Sequence, residues 1–306
     1  MAILFQCPWA NADEWLAALR AELPDAEFRV WPDTGDAAGI DFAYVFQPPA
    51  GALAGLPSLK GIASMGAGVD AMVADPTIPM DVPLSRLTDP ILAERMSEYV
   101  AGQVLNFHLG LPAYRRQQAT KSWQRLPQTD ALDRTVAFLG LGNLARRCIE
   151  RVRPFGFQLV GWSRSGAPVE GVDVTTDLDA ALRRTEILVL LVPVTDETRG
   201  LMTAGQLARL PREAFLINVG RGALLDDDAV LSALDSGQLA GAALDVFNPE
   251  PLPPEHPYWT HPLVEITPHI SSLSEVTSGA RILAAQYRRA QAGEPMTDLV
   301  DRVRGY

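Results

Sequence analysis

Three short segments in the last third of the chain hold side chains that could bind an anion and move a proton. Arg221 stands in Asn-Val-Gly-Arg-Gly, Glu250 in Leu-Asp-Val-Phe-Asn-Pro-Glu-Pro-Leu from Leu244 to Leu252, and His269 in Thr-Pro-His-Ile-Ser. Each follows an apolar, strand-like run. A guanidinium between Gly220 and Gly222 can point into a cleft, where its planar fork suits a carboxylate. An imidazole exchanges a proton near neutral pH, and a neighbouring carboxylate favours its charged form. Taken singly, each has a plain structural reading: a turn arginine, an exposed acid on a stiff loop, a structural histidine.

A second constellation lies upstream. The apolar run Val136–Leu139 leads into Gly140-Leu-Gly142-Asn-Leu-Ala145 and then a helical stretch. Gly140 permits a tight turn, Gly142 lets the backbone approach a pyrophosphate, and the small Ala145 allows helix–strand packing. The helix that follows presents free N–H groups and its positive dipole end to the phosphates. The next strand closes on Trp162-Ser163-Arg164-Ser165, and no acidic residue lies between Glu150 and Glu170. An NAD site would place a ribose-binding acid there. Arg164 with Ser163 and Ser165 instead suits a 2′-phosphate, so NADPH is expected over NADH. A dinucleotide site followed by a cation, a carboxylate and an imidazole is equipment for hydride transfer.

The elements that must position these groups alternate between strand and helix. Strand candidates are Ile3–Phe5, Phe28–Trp31, Phe42–Phe46 and Gly61–Ser64, then Val136–Leu139, Gln158–Trp162, Glu186–Leu191, Ala214–Val219, Gly241–Asp245 and Val264–Thr267. Helices are expected over Ala12–Leu23, from Asp89 to about Arg116 without a break, and over Leu273–Ala292. Asp89-Pro90 fits an N-cap followed by proline at the first helical position. The alternation predicts an α/β protein with doubly wound parallel sheets. Because the dinucleotide motif sits mid-chain, two domains are expected: a Rossmann-type unit over 96–272, inserted in a flavodoxin-like substrate unit of 1–95 plus 273–306.

Composition narrows the partners. The 306 residues carry a net charge of −11 and are 47% hydrophobic, enough for sizeable cores. The charge argues against nucleic acid or an anionic membrane as partner. Cys7 and Cys148 read as reduced thiols. The longest apolar run, Ile187–Val194, is far short of a membrane span. A cytoplasmic protein is the expectation. His256 and His261 flank Tyr258-Trp259 without a third ligand, so no metal site is expected.

On these motifs, with Gly-Ala-Gly-Val-Asp from Gly66, Met-Ser-Glu-Tyr-Val from Met96 and the closing Arg304-Gly-Tyr, the chain resembles the D-isomer-specific 2-hydroxyacid dehydrogenases over nearly its whole length. Within them it is most similar to the NADPH-dependent glyoxylate/hydroxypyruvate reductase branch. The resemblance implies that Arg221 binds the substrate's carboxylate and keto oxygen, that His269 is the acid/base and that Glu250 is its partner. It implies that Asp245 holds the nicotinamide carboxamide side, and that Ala67, Gly68 and Val69 offer backbone N–H groups to the substrate. Asn143 and Leu144, then Val192, Pro193 and Thr198, and finally Val219 and Ser271 are also expected along the cofactor. The substrate would be a small 2-oxo acid, and the assembly a homodimer, with Trp123 a candidate to reach across it. Phe46 stands where tryptophan is expected in this branch, and Ser271-Ser272 where small apolar residues are common. Two alternatives stay open: a related enzyme for a bulkier 2-oxo acid, and a non-catalytic NAD(P)-sensing protein on the same fold.

Overall fold

A computed structural model describes residues 1–305; Tyr306, the end of the closing motif, lies outside them. The chain divides into two compact units, Met1–Leu92 with Ser274 onward, and Ala93–Leu273. It passes from the first to the second within the helix Pro90–His108.

The first unit is built on Ala2–Gln6 (β1), Glu27–Val30 (β2), Ile40–Val45 (β3), Gly61–Ser64 (β4) and Leu84–Ser85 (β5). These pair in the order β2-β1-β3-β4-β5, with every pairing parallel. β1, β3 and β4 are buried throughout, which is why they read as unbroken apolar runs rather than alternating ones. The helices Ala12–Glu22 and Val276–Gln291 pack together through Trp15, Leu19, Ala280 and Leu283. A Cβ on Gly279 would stand 2.4 Å from the Trp15 ring, so only glycine lets these helices approach. The Tyr44 hydroxyl donates to the carbonyl of Leu283 at 2.9 Å and ties the last helix to β3.

The second unit contains Thr135–Leu139 (β6), Gln158–Trp162 (β7), Asp173–Thr175 (β8), Ile187–Leu190 (β9), Ala214–Asn218 (β10), Leu239–Leu244 (β11) and Val264–Ile266 (β12). All are parallel, in the order β12-β11-β10-β9-β6-β7-β8. One apolar cluster lies on each face. The strand order reverses between β9 and β6, and in open parallel sheets ligands bind in the crevice beyond the strand ends at such a reversal.

Three expectations need correction. The helix from Asp89 does not run on to Arg116. It ends at His108, Gly110 turns in the left-handed region at φ 67°, and a second helix covers Leu111–Ala119 with Pro112 in its first turn. Apolar periodicity continues across the break, so the glycine's freedom decides it. The final helix starts at Val276, not Leu273, because the Glu275 side chain caps the N–H groups of Thr277 and Ser278. The strand expected over Phe28–Trp31 covers Glu27–Val30.

Candidate active site

Arg221, Glu250 and His269 all lie in the second unit, beyond the carboxyl ends of β10, β11 and β12, which are neighbours in the sheet. Parallel pairing therefore delivers three chain-distant groups to one edge.

Asn218, the buried last residue of β10, shapes the arginine turn. Its Oδ1 accepts the Gly220 N–H at 3.1 Å, and its Nδ2 donates to the Arg221 carbonyl at 2.9 Å. The Arg221 Nη1 donates to the Gly220 carbonyl at 2.8 Å. A Cβ on Gly222 would fall 2.0 Å from the Phe247 carbonyl carbon, so this glycine lets the arginine turn lie on the backbone that leads to Glu250.

Glu250 is held at both oxygens. Oε1 accepts the Phe247 N–H at 2.9 Å, and Oε2 is 2.8 Å from Nδ1 of His269. Burial pushes this carboxyl up. The hydrogen bonds from His269 and Phe247, with the positive charges of His269 and Arg221, outweigh burial and leave it below its ordinary range.

His269 has φ +54°, a left-handed conformation that non-glycine residues rarely adopt. Its N–H donates to the Asp245 carbonyl at 2.8 Å. The buried Asp245 carboxylate accepts the Thr267 hydroxyl at 2.6 Å and the N–H groups of Ile270 and Ser271 at 2.9 Å each. Three of its acceptor positions thus serve the loop that carries His269. The inward-facing Ser271 is part of that loop's anchorage.

The crevice between β6 and β9 fits a dinucleotide. Gly140 has φ +102°, and a Cβ there would stand 2.8 Å from the Leu191 carbonyl. A Cβ on Gly142 would meet nothing within 4 Å, so open space lies over the turn. The helix Asn143–Val152 begins on Gly142 with no side-chain cap, which leaves its first N–H groups for an anion. Asn143 is exposed and Leu144 half-buried against the core. Beyond β7 the Ser163 hydroxyl is buried without a hydrogen-bond partner among the described residues, an oxygen suited to a ligand. Arg164 pairs with Glu197, and Ser165 Oγ accepts the Ala167 N–H at 3.3 Å.

Other expected cofactor contacts have local duties. The Thr198 hydroxyl closes its own turn, donating to the Pro193 carbonyl at 2.6 Å and accepting the Thr195 N–H at 2.8 Å. Val192 and Val219 are buried in the apolar clusters. Ala67 and Gly68 are half-buried and Val69 buried, in the loop after β4 of the first unit. Asn218, Tyr99 and Thr267 were missed. The only sequence signal for Asn218 is a lone amide at the end of an apolar run.

Residues 101–271 match the model of the D-isomer specific 2-hydroxyacid dehydrogenase NAD-binding domain. Glyoxylate/hydroxypyruvate reductase A of Serratia proteamaculans is 38% identical, with 100% of both chains covered. The chain belongs to the D-isomer specific 2-hydroxyacid dehydrogenase family. Solved members share the fold. One from Xanthobacter autotrophicus Py2, in complex with NADPH and MES, superposes with a TM-score of 0.94 at 38% identity, covering 100% of this chain and 99% of that one. An NADPH-dependent glyoxylate/hydroxypyruvate reductase from Sinorhizobium meliloti, in complex with NADP and sulfate, gives 0.93 at 37% identity with 100% of each chain covered.

Proposed function

We propose that the protein is an NADPH-dependent reductase of small 2-oxo acids, glyoxylate and hydroxypyruvate, forming the 2-hydroxy acids. The observation that carries this reading is the Glu250–His269 pair, set with Arg221 beyond three adjacent strands. The name of the Serratia relative and the NADPH and NADP in the Xanthobacter and Sinorhizobium structures support the substrate class and the cofactor.

The acceptor at Glu250 keeps a proton on Nδ1 of His269, so Nε2 is the nitrogen that serves the substrate. When bound, the cofactor supplies the hydride. As charge develops on the carbonyl oxygen, the Nε2–H bond of the imidazolium breaks and an O–H bond forms, leaving neutral imidazole. Arg221 takes the substrate's carboxylate and steadies the developing charge. From the family resemblance, the N–H groups of Ala67, Gly68 and Val69 are assigned to substrate binding. Gly140, Gly142 and Asn143 would hold the pyrophosphate, and Ser163, Arg164 and Ser165 the 2′-phosphate. The unit 93–273 is then the NADP-binding domain, and the other unit the substrate domain.

A homodimer built on the NADP-binding domain goes with this reading. Trp123, 98% exposed, together with exposed Leu109, Leu111, Leu132 and Phe155, leaves apolar surface on that domain for a second copy. The reading also places the enzyme in the cytoplasm. Among the described residues, no helix is long and apolar enough to cross a membrane.

A bulkier 2-oxo acid is the second reading, favoured by Phe46. Its smaller ring rests on Gly66 and 4.6 Å from Trp9, where tryptophan is expected in this branch. The test is NADPH oxidation by the purified protein with glyoxylate, hydroxypyruvate and phenylpyruvate, each repeated with NADH. Fast turnover of the two small acids with NADPH is expected. Preference for phenylpyruvate would replace the substrate while keeping the mechanism. Preference for NADH would overturn the cofactor assignment.

A further inference from the structure

We propose that Tyr99 and Thr267 are positioning residues that set His269 for proton transfer, through a one-way chain of hydrogen bonds that ends on Asp245. The inference rests on the reading of His269 as the proton donor and gives a role to two residues for which the family resemblance implied none.

The starting observation is strain at the reactive residue. His269 is held at φ +54°, a strained conformation for a β-carbon-bearing residue that persists only where the surroundings over-determine it. Asp245 is what over-determines it. The loop 267–271 wraps this buried residue: its carboxylate takes one hydroxyl and two backbone N–H groups, and its carbonyl takes the N–H of His269. The first of these bonds is made by Thr267, two residues before His269.

Thr267 has one proton to give, and it goes to the Asp245 carboxylate at 2.6 Å, an acceptor that cannot donate in return. The Tyr99 hydroxyl lies 2.8 Å from the same Thr267 oxygen and must therefore be the donor in that contact. Burial pushes the Tyr99 hydroxyl up to about 12, so it keeps its proton throughout the neutral range. Gln103 and Asn106 follow Tyr99 on one face of the helix Pro90–His108, spaced as i, i+4 and i+7. Asn106 Nδ2 donates to Gln103 Oε1 at 3.1 Å, and Arg115 Nη2 donates to Asn106 Oδ1 at 2.7 Å. The carboxylate can only accept, so the direction of the chain from Tyr99 through Thr267 to Asp245 is fixed at its end. Such a chain polarises each bond toward Asp245. Without the Tyr99 hydroxyl, the Thr267 oxygen loses its donor, and its grip on Asp245, hence on the strained loop, slackens.

The experiment uses the full-length protein and two readouts. One is kcat and KM with NADPH and glyoxylate. The other is the C2–H resonance of His269, one of 4 histidines, identified through His269→Gln and followed through a pH titration. Tyr99→Phe removes only the hydroxyl and is expected to lower kcat about three- to tenfold, with both KM values within about twofold of wild type. Thr267→Val is expected to lower kcat about tenfold or more, and Thr267→Ser, which keeps the hydroxyl, to recover most of it. The double variant Tyr99→Phe/Thr267→Val should be no slower than Thr267→Val, because both changes cut one chain. The His269 resonance or its titration midpoint should move in Tyr99→Phe and Thr267→Val and return in Thr267→Ser. An unmoved resonance in both variants would overturn the proposal, as would a Thr267→Ser protein as impaired as Thr267→Val. A resonance that moves in a protein with no glyoxylate turnover would sink the proposed function and leave the hydrogen-bond chain standing. Turnover abolished by His269→Ala, with Tyr99→Phe unchanged in rate and resonance, would do the reverse.

Discussion

The two ends of the sheet edge in the 93–273 unit are finished differently. At β10–β12, the groups around Arg221, Glu250 and His269 are hydrogen-bonded to the protein itself, down to the backbone of the loops that carry them. At β6 and β7, the helix after Gly142 has no side-chain cap, and the Ser163 hydroxyl is buried without a partner among the described residues. Groups that take part in bond making must already be in place when the substrate arrives, because reorganisation then would add to the barrier. Groups that only hold a ligand can leave their polar atoms for the ligand to complete, since a buried donor is stabilised on the day it is partnered. Under the proposed function, the contrast separates a preorganised region from one that its cofactor would finish.

The largest break in that contrast is expected at His269. His269→Ala should lower kcat by about 10²–10⁴-fold while NADPH affinity, read from fluorescence titration, stays near wild type. Equal loss of affinity would mean the two ends are not separable. Arg164→Ala tests the other end. It should weaken NADPH binding about 10–100-fold, the scale of one or two hydrogen bonds to a charged group, and leave NADH binding nearly unchanged. An Arg164→Ala protein with unaltered preference between the two cofactors would remove the 2′-phosphate assignment. Arg164 pairs with Glu197, and both are well exposed, so that pair is a weak competitor for a phosphate.

Much of the fold is legible because fully buried parallel strands announce themselves as apolar runs. The strands missed outright, Leu84–Ser85 and Asp173–Thr175, are edge strands of 2 and 3 residues, too short for any periodicity to register. The helix break at Gly110 was missed because the apolar spacing runs across it while one backbone angle does not. At the site, side-chain type was legible and side-chain employment was not. The sequence marks Asp245 and Thr198 as polar residues at strand ends and in loops. Only the fold reveals that Asp245 serves the His269 loop and that Thr198 closes its own turn. Tyr99 is hidden for a related reason: an aromatic residue on a mostly apolar helix face reads as core until its hydroxyl finds Thr267.

A smaller effect is expected where the arginine turn and the Glu250 loop touch. Gly222→Ala would place a Cβ 2.0 Å from backbone that cannot rotate away, so the two loops must part. The expected cost is about 1–3 kcal/mol of stability, seen as a lower Tm, and a drop in kcat larger than any change in NADPH affinity. Unchanged Tm and kcat would show that Arg221 and Glu250 are positioned independently.

The smallest effect is electrostatic and has a definite sign. Glu250 sits below its ordinary range in the folded protein, so its ionised form is favoured by folding. That contribution is fully present above the unfolded value of about 4.3 and is lost as pH falls through the lower folded value. Comparing Tm for the wild type and Glu250→Gln from neutral pH downward should show the wild type ahead, with the gap closing only in the acid range. Activity should part from stability in this series. Glu250→Gln keeps an acceptor for Nδ1 of His269 but removes the charge facing the ring, so kcat at neutral pH should fall. A gap in Tm that widens as the pH is lowered would contradict the direction assigned to Glu250. An unchanged kcat at neutral pH would mean that Glu250 serves only as a hydrogen-bond acceptor for His269.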